Sequence, residues 1–230
     1  DRQIVFVGVG FETTTPLVAM AVKRAKAAGL ENFSVYGAHK NMPGALEVII
    51  NDPELKVDAL ILPGHVSTII GVEPYRFLAE KYGVPGVITG FEPVDVLQGI
   101  AMIMRQLHEG RADIEIAYSR GVMAEGNPVA LAAIDEVFET CASTWRGLGE
   151  IPGSGYRIRE EYAEFDAMRR FAPEVEPTVE HKGCRCGDVL RGVMPPNECP
   201  LFRMVCSPEN PVGPCMVSSE GSCAAYYRYY

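Results

Sequence analysis

An α/β fold, with a mostly parallel sheet flanked by helices and a small irregular cysteine-rich C-terminal cap, is what this sequence predicts. Two observations carry that expectation. Short apolar, β-branched runs alternate with segments of helical period, the pattern of βαβ crossovers whose strands are buried on both faces. Six of the seven cysteines fall after residue 183, in a stretch crowded with proline. The 230 residues, 47 % of them hydrophobic, suffice for one large core or two modest ones.

Taken in order, the expected strands are IVFVGV (4–9), FSVYG (33–37), VDALIL (57–62), GVIT (86–89) and IEIAY (114–118). Helical period runs between them over 16–29, 43–50, 73–82 and 93–110. A further helix is expected over 128–143 and a short one over 160–171. Between these two, TWRGLGEIPGSGYRI is so broken by glycine and proline that no period survives. Trp145, the only tryptophan, reads as core or domain-interface packing. The composition changes beyond Pro173 and Pro177, which divides the chain into an α/β body over 1–180, with room for parts of two α/β domains, and a cysteine-rich domain over 181–230.

Charge narrows the function classes. The net charge of −9 is concentrated in residues 1–180, which hold sixteen Lys/Arg against twenty-six Asp/Glu. An acidic body lacks the basic stripe that a general nucleic-acid binder needs. No run of 18 uncharged apolar residues occurs, so no membrane span is expected. The chain opens on a strand pattern, DRQIVFVGVG, without initiator Met or charged leader, as a segment cut from a longer chain would, and as a processed terminus would too. Seven cysteines leave one thiol over in any intramolecular pairing, so the concentration reads as a metal or redox site in a reducing cytoplasm.

Three strand-to-helix junctions have matching chemistry: GVGFETTTP (8–16), LPGHVSTIIG (62–71) and ITGFEPVD (88–95). In a parallel sheet such loops emerge at one edge and can converge in a cleft. Glu12, His65 and Glu92 are therefore the candidate catalytic residues. Each also has an ordinary reading: carboxylates favoured by a helix N-terminus, a semi-buried histidine, and threonines 13–15 as helix caps. The sequence GVGFET has Thr13 where a dinucleotide fingerprint requires glycine, and no phosphate-cradling G-x-x-x-x-G-K-[ST] occurs.

From Cys199 the cysteines are spaced C-x6-C-x8-C-x7-C, ending at Cys223. Structural zinc draws its ligands in close C-x2-4-C pairs, which are absent from this loop, whereas well-separated thiols let a loop wrap a cubane. A [4Fe-4S] cluster on Cys199, Cys206, Cys215 and Cys223 is one reading; a zinc-stabilised structural or interaction domain is another, and disulfides or free thiols a third. Cys184 and Cys186 form a CxC pair whose role the spacing leaves open, and Cys141 reads as a small buried hydrophobe.

VFVGVGFETTTP, LPGHVSTIIG, GFEPVDVLQGI, EGNPVALAAIDEVFE, WRGLGEIPGSG, GCRCGDVLRG and ENPVGPCMVSSEGSCAAYY together resemble the HypD family of [NiFe] hydrogenase maturation factors. The resemblance implies an iron–sulfur scaffold of α/β domains with a C-terminal [4Fe-4S] cluster, working with a HypC-type chaperone and a HypE-type cyanide donor. It implies that such a protein holds the iron of the Fe(CN)2CO precursor and that the cluster relays electrons. The family's N-terminal G-P-G-C-P-V-C motif is absent from these 230 residues, which resemble the later two thirds of a full-length member.

Overall fold

The computed structural model describes residues 2–176 and 181–230, in two compact units. The first comprises 1–47, 58–143 and 152–173; the second comprises 48–57, 144–151 and 174–230. Residues 177–180, where the expected domain boundary falls, lie outside the described residues.

In the first unit, strand β1 (Ile4–Gly10) passes through helix α1 (Thr15–Ala27) to β2 (Phe33–His39), and the two strands pair in parallel from Ile4 opposite Phe33 to Gly10 opposite His39. Helix α2 (Met42–Ile50) follows. A second parallel sheet has the order β3-β4-β5, from β3 (Leu60–Pro63), β4 (Gly86–Thr89) and β5 (Ile114–Ile116). Its central strand is buried at all four positions, as a strand covered on both faces must be. Helices α3 (Gly64–Ile70) and α4 (Arg76–Glu80) lie between β3 and β4, and α5 (Pro93–Glu109) joins β4 to β5 and buries Ile103 near Val87 and Ala117. The expected α/β class, parallel strands flanked by helices, is what the chain adopts, with its parallel strands divided between two sheets.

Helix α6 (Pro128–Val137) starts where Asn127 Oδ1 accepts the N–H groups of Val129 and Ala130, both at 3.1 Å, with Pro128 in the first turn where no donor is needed. It packs on α1, and Val18, Val22, Ile134, Val137 and Phe138 share one core with Val35 of β2. The helix expected to continue to residue 143 stops at Val137. Phe138 is already extended, and β6 (Phe138–Trp145) pairs with β7 (Gly149–Ile158), a strand hidden in the sequence by Gly149, Pro152, Gly153 and Gly155. Burying Phe138, Ile151 and Ile158 outweighs the helical propensity of FETCAS. Trp145 is half-buried at the end of β6.

In the strand-to-helix junction LPGHVSTIIG, residues 64–70 are already helical, ahead of the helix expected over 73–82: Ser67 Oγ donates to the Pro63 carbonyl at 2.8 Å while Val66, Ser67 and Ile70 turn inward. Gly64 permits this, because a Cβ there would stand 2.2 Å from the Thr89 carbonyl oxygen. The expected helix over 160–171 is a 3-10 segment, Glu160–Phe165, followed by α7 (Ala167–Phe171).

The second unit is built from short pieces: α8 (Cys186–Leu190), a 3-10 turn at Pro196–Glu198, α9 (Pro214–Val217) and α10 (Ser222–Tyr229). Its core consists of Cys186, Val189, Cys206, Cys215, Met216, Cys223 and Ala224, with Leu201 and Phe202 packed against them. Cysteine thus takes the place that Val, Leu and Ile fill in the first unit. No helix among the described residues is long and apolar enough to cross a membrane.

Candidate functional site

All the cysteines carry free thiols. Cys186 opens α8, Cys215 lies in α9 and Cys223 in α10, and α10 packs against both other helices. That convergence places the Sγ atoms of these three buried residues within 4.8 Å of one another. Backbone donors point at sulfur as well: the Cys215 N–H reaches Cys186 Sγ and the Val212 N–H reaches Cys206 Sγ, each at 3.4 Å. Gly213 is required here, since a Cβ would stand 2.4 Å from Cys184 Sγ and 2.6 Å from Cys186 Sγ. A small apolar cavity in the same unit is lined by Cys184, Cys186, Cys199, Cys206 and Cys223, with Phe202 and Met216.

Of the four thiols selected by spacing, Cys215 and Cys223 belong to the close trio, while Cys199 and Cys206 stand on the cavity wall with Cys223. Spacing missed Cys186, which belongs to both groups. The signal was the CxC pair itself: both of its thiols face Gly213 and the same cavity, and a loop-spacing rule starting at Cys199 stops short of them.

Mutual hydrogen bonds and burial make thiols of the trio hold their protons tightly. Cys215 is pushed up to about 12 by its hydrogen bond with Cys186, with burial adding to the effect. For Cys186 the bond with Cys215 pulls the other way, but Cys223, burial and Cys184 prevail and it too rises to about 12. Basic side chains stand close by. Arg146, Arg185, Arg191 and His181 line a wider pocket with Cys184 and Cys186, and Arg191 is held by Asp52 at 2.9 Å, by Glu54 at 3.0 Å and by Asp188. Soft donors, sulfur-directed N–H groups and neighbouring arginines suit a metal centre whose thiolates carry negative charge.

The first unit holds a separate group of buried polar side chains. Glu12, just beyond β1, is 1 % exposed. Its Oε1 accepts the Met42 N–H at 3.0 Å, and its buried Oε2 has no partner among the described residues. Burial lifts its pKa to about 7, against the pull of its own backbone N–H and that of Met42. Glu12 lines a pocket with Asn41, Ile70, Leu131, Gly153 and Tyr156. The Tyr75 hydroxyl and both ring nitrogens of His39 are also buried and unpartnered among the described residues, and burial lowers the His39 pKa. Sequence reasoning overlooked His39, Asn41, Tyr75 and Tyr156; the polar cluster AHKN closing β2 was the available signal for the first two.

The other two candidates do not share that pocket. His65 is exposed in the first turn of α3 and lies against Phe91, ring centroids 4.5 Å apart. Glu92 is exposed at the start of α5 and pairs with Arg120 at 3.2 Å. Arg120 in turn grips buried Asp95 through two 2.6 Å hydrogen bonds. The threonines do not cap α1 with their side chains. The hydroxyls of Thr14 and Thr15 donate back to the Phe11 carbonyl, at 3.3 and 2.9 Å.

Residues 1–230 match the family described as HypD, "Hydrogenase formation hypA family". The chain is 48 % identical over 236 residues to the hydrogenase maturation factor HypD of Cupriavidus necator and 50 % identical over 235 residues to that of Azotobacter vinelandii. It is 49 % identical over 235 residues to the hydrogenase expression/formation protein HupD of Azotobacter chroococcum. Each comparison covers 100 % of this chain and 62 % of the relative, so the chain spans less than two thirds of the length of these relatives.

Proposed function

Because this chain belongs to the HypD family, we propose that it serves [NiFe] hydrogenase maturation as a cytoplasmic iron–sulfur scaffold, taking part with a HypC-type chaperone and a HypE-type cyanide donor in assembly of the Fe(CN)2CO moiety. The observation that carries the reading is the gathering of six thiols in one small unit whose core is otherwise thin. Cys199, Cys206 and Cys223 satisfy both the spacing and the cavity wall, and are the ligands that we assign first to a [4Fe-4S] cluster. Spacing gives the fourth position to Cys215, and the cavity wall offers Cys184 or Cys186. When bound, the cluster supplies one-electron transfer.

The chain's own residues supply the rest. The thiols give up protons on ligation. The N–H groups of Val212 and Cys215 and the arginines offset sulfur charge. Glu12, with a pKa of about 7, exchanges a proton near neutrality, which suits it to proton management during delivery of cyanide and reduction at iron. His65 and Glu92, both exposed, are placed for contact with partner groups. The iron of the Fe(CN)2CO precursor is cargo, and the dithiol motif that the family resemblance links to holding it is absent from this sequence.

Complementation of a HypD-deficient strain tests the reading. Restoration is expected when this chain is supplied together with a polypeptide carrying the missing dithiol motif. Maturation by this chain alone would overturn the assignment of iron holding to that motif. A zinc-stabilised interaction domain is the second reading. The 4.8 Å spread of Cys186, Cys215 and Cys223 favours it, because a single ion draws its thiolates closer together than a cubane does.

A further inference from the structure

Strand β1 is built for the interior of a sheet and lies at an edge. It reads IVFVGVG, with Ile4 57 %, Phe6 49 %, Val7 61 % and Val9 67 % exposed. Odd and even positions point to opposite faces of a strand, so both faces of β1 are open. Parallel strands normally have both faces covered. Among the described residues β1 pairs with β2 alone. The Ile4 N–H donates to Asn32 and the Gly10 carbonyl accepts from Lys40, which turns the backbone groups of the even-numbered residues toward β2. The N–H and C=O groups of Val5, Val7 and Val9 therefore face the open edge. An apolar edge strand of seven residues with no charge, proline or bulge has none of the devices that keep a free edge from pairing.

We infer that β1 is an internal strand of a larger sheet, and that its open edge and faces dock an α/β segment from the 38 % of the relatives' length that this chain does not span. A second copy of this chain fits less well. Pairing β1 with β1 would satisfy the edge but supply nothing to cover two apolar faces. A βαβ-type segment supplies strand and helix together from about 30 residues, far fewer than the relatives have to spare. The two-stranded sheet is also smaller than the four to six strands that are usual, roughly, in a stable one. This inference is independent of the thiol site.

Amide hydrogen exchange on two intact chains tests it: this protein, and the full-length Cupriavidus necator relative. The peptide covering residues 4–10 should exchange rapidly here, and its counterpart in the relative at least about 100-fold more slowly, as the core of a completed sheet does. Equal exchange in the two proteins would overturn the inference. Protection in this chain alone that grows with its concentration would assign the edge to a second copy and overturn the chosen occupant. Substitution gives an independent readout. Val7→Lys should leave the melting temperature of this chain nearly unchanged, while lysine at the aligned position lowers that of the relative by several degrees. Equal effects in both would contradict a covered strand. Leu97→Lys, at a 67 % exposed position on α5, should leave the exchange of residues 4–10 unaltered.

Discussion

The two units solve the burial problem with different materials. The first excludes water with Val22, Leu62, Leu78, Val87 and Ile88, each no more than 1 % exposed, carried on helices and parallel strands. The second buries Cys186, Cys215 and Cys223, on helices of eight residues or fewer, and Cys206, in a loop, beside one methionine, one valine and one alanine. An aliphatic core is stabilising in itself, at about 25 cal/mol for each Å² of apolar surface removed from water. A thiol core of this size contributes less, and its order depends on what the thiols hold. Losing a ligand should therefore be a folding event in one unit and leave the other intact.

The sharpest way to break this contrast is Cys206→Ala. It should abolish the metal centre and render residues 183–223 sensitive to protease, while the helical circular dichroism of the first unit persists. Protection of the mutant segment in metal-free protein would mean that Val189, Leu201, Phe202 and Met216 suffice without the metal. The converse substitution, Leu78→Ala at a fully buried position of α4, should cost about 2–5 kcal/mol of stability in the first unit. Metal content per folded chain should stay constant, as metal analysis across a denaturant titration would reveal.

Glu12→Gln sharpens the comparison through pH. The carboxyl's folded pKa of about 7 lies above its ordinary value of 4.5, so the folded state binds the proton more tightly than the unfolded state. Stability from this group is full below pH 4.5 and is lost as pH rises through 7. The glutamine variant should match the parent near pH 4 and gain on it by as much as ~3 kcal/mol at pH 8, measured by urea unfolding. A difference independent of pH would contradict a buried, proton-holding Glu12. The smallest effect is expected from Glu92→Gln: its carboxylate is exposed, and the ion pair with Arg120 is of the surface kind that contributes little. Thermal melting should show no measurable change, and any loss in hydrogenase maturation would then report on partner contact.

The same contrast governs what could be read in the sequence. The first unit's early elements were legible because burial writes itself as period. IVFVGVG and FSVYG are apolar runs, and α1 repeats its buried positions at Val18, Val22 and Ala25. Legibility failed where tertiary burial overrode local preference. FETCAS follows a helix and has helix-forming residues, yet becomes β6 because Phe138 belongs to the core shared with Val35 and Ile158. In the second unit the presence of a soft-donor site was legible from composition, but the partition of thiols was not. Cys186 reaches Cys215 and Cys223 by folding of the chain, and no linear spacing encodes that approach. Glu12 could be picked from GFETTTP as one of three equal carboxyl or imidazole candidates; only burial separates it from Glu92 and His65.

The central claim, a [4Fe-4S] cluster in the cysteine-rich unit, is tested most directly by metal and acid-labile sulfide analysis of protein prepared without oxygen. The account predicts about four iron and four sulfide per chain, with broad visible absorbance near 400 nm that Cys223→Ser removes. Colourless protein containing one zinc per chain and no labile sulfide would contradict it.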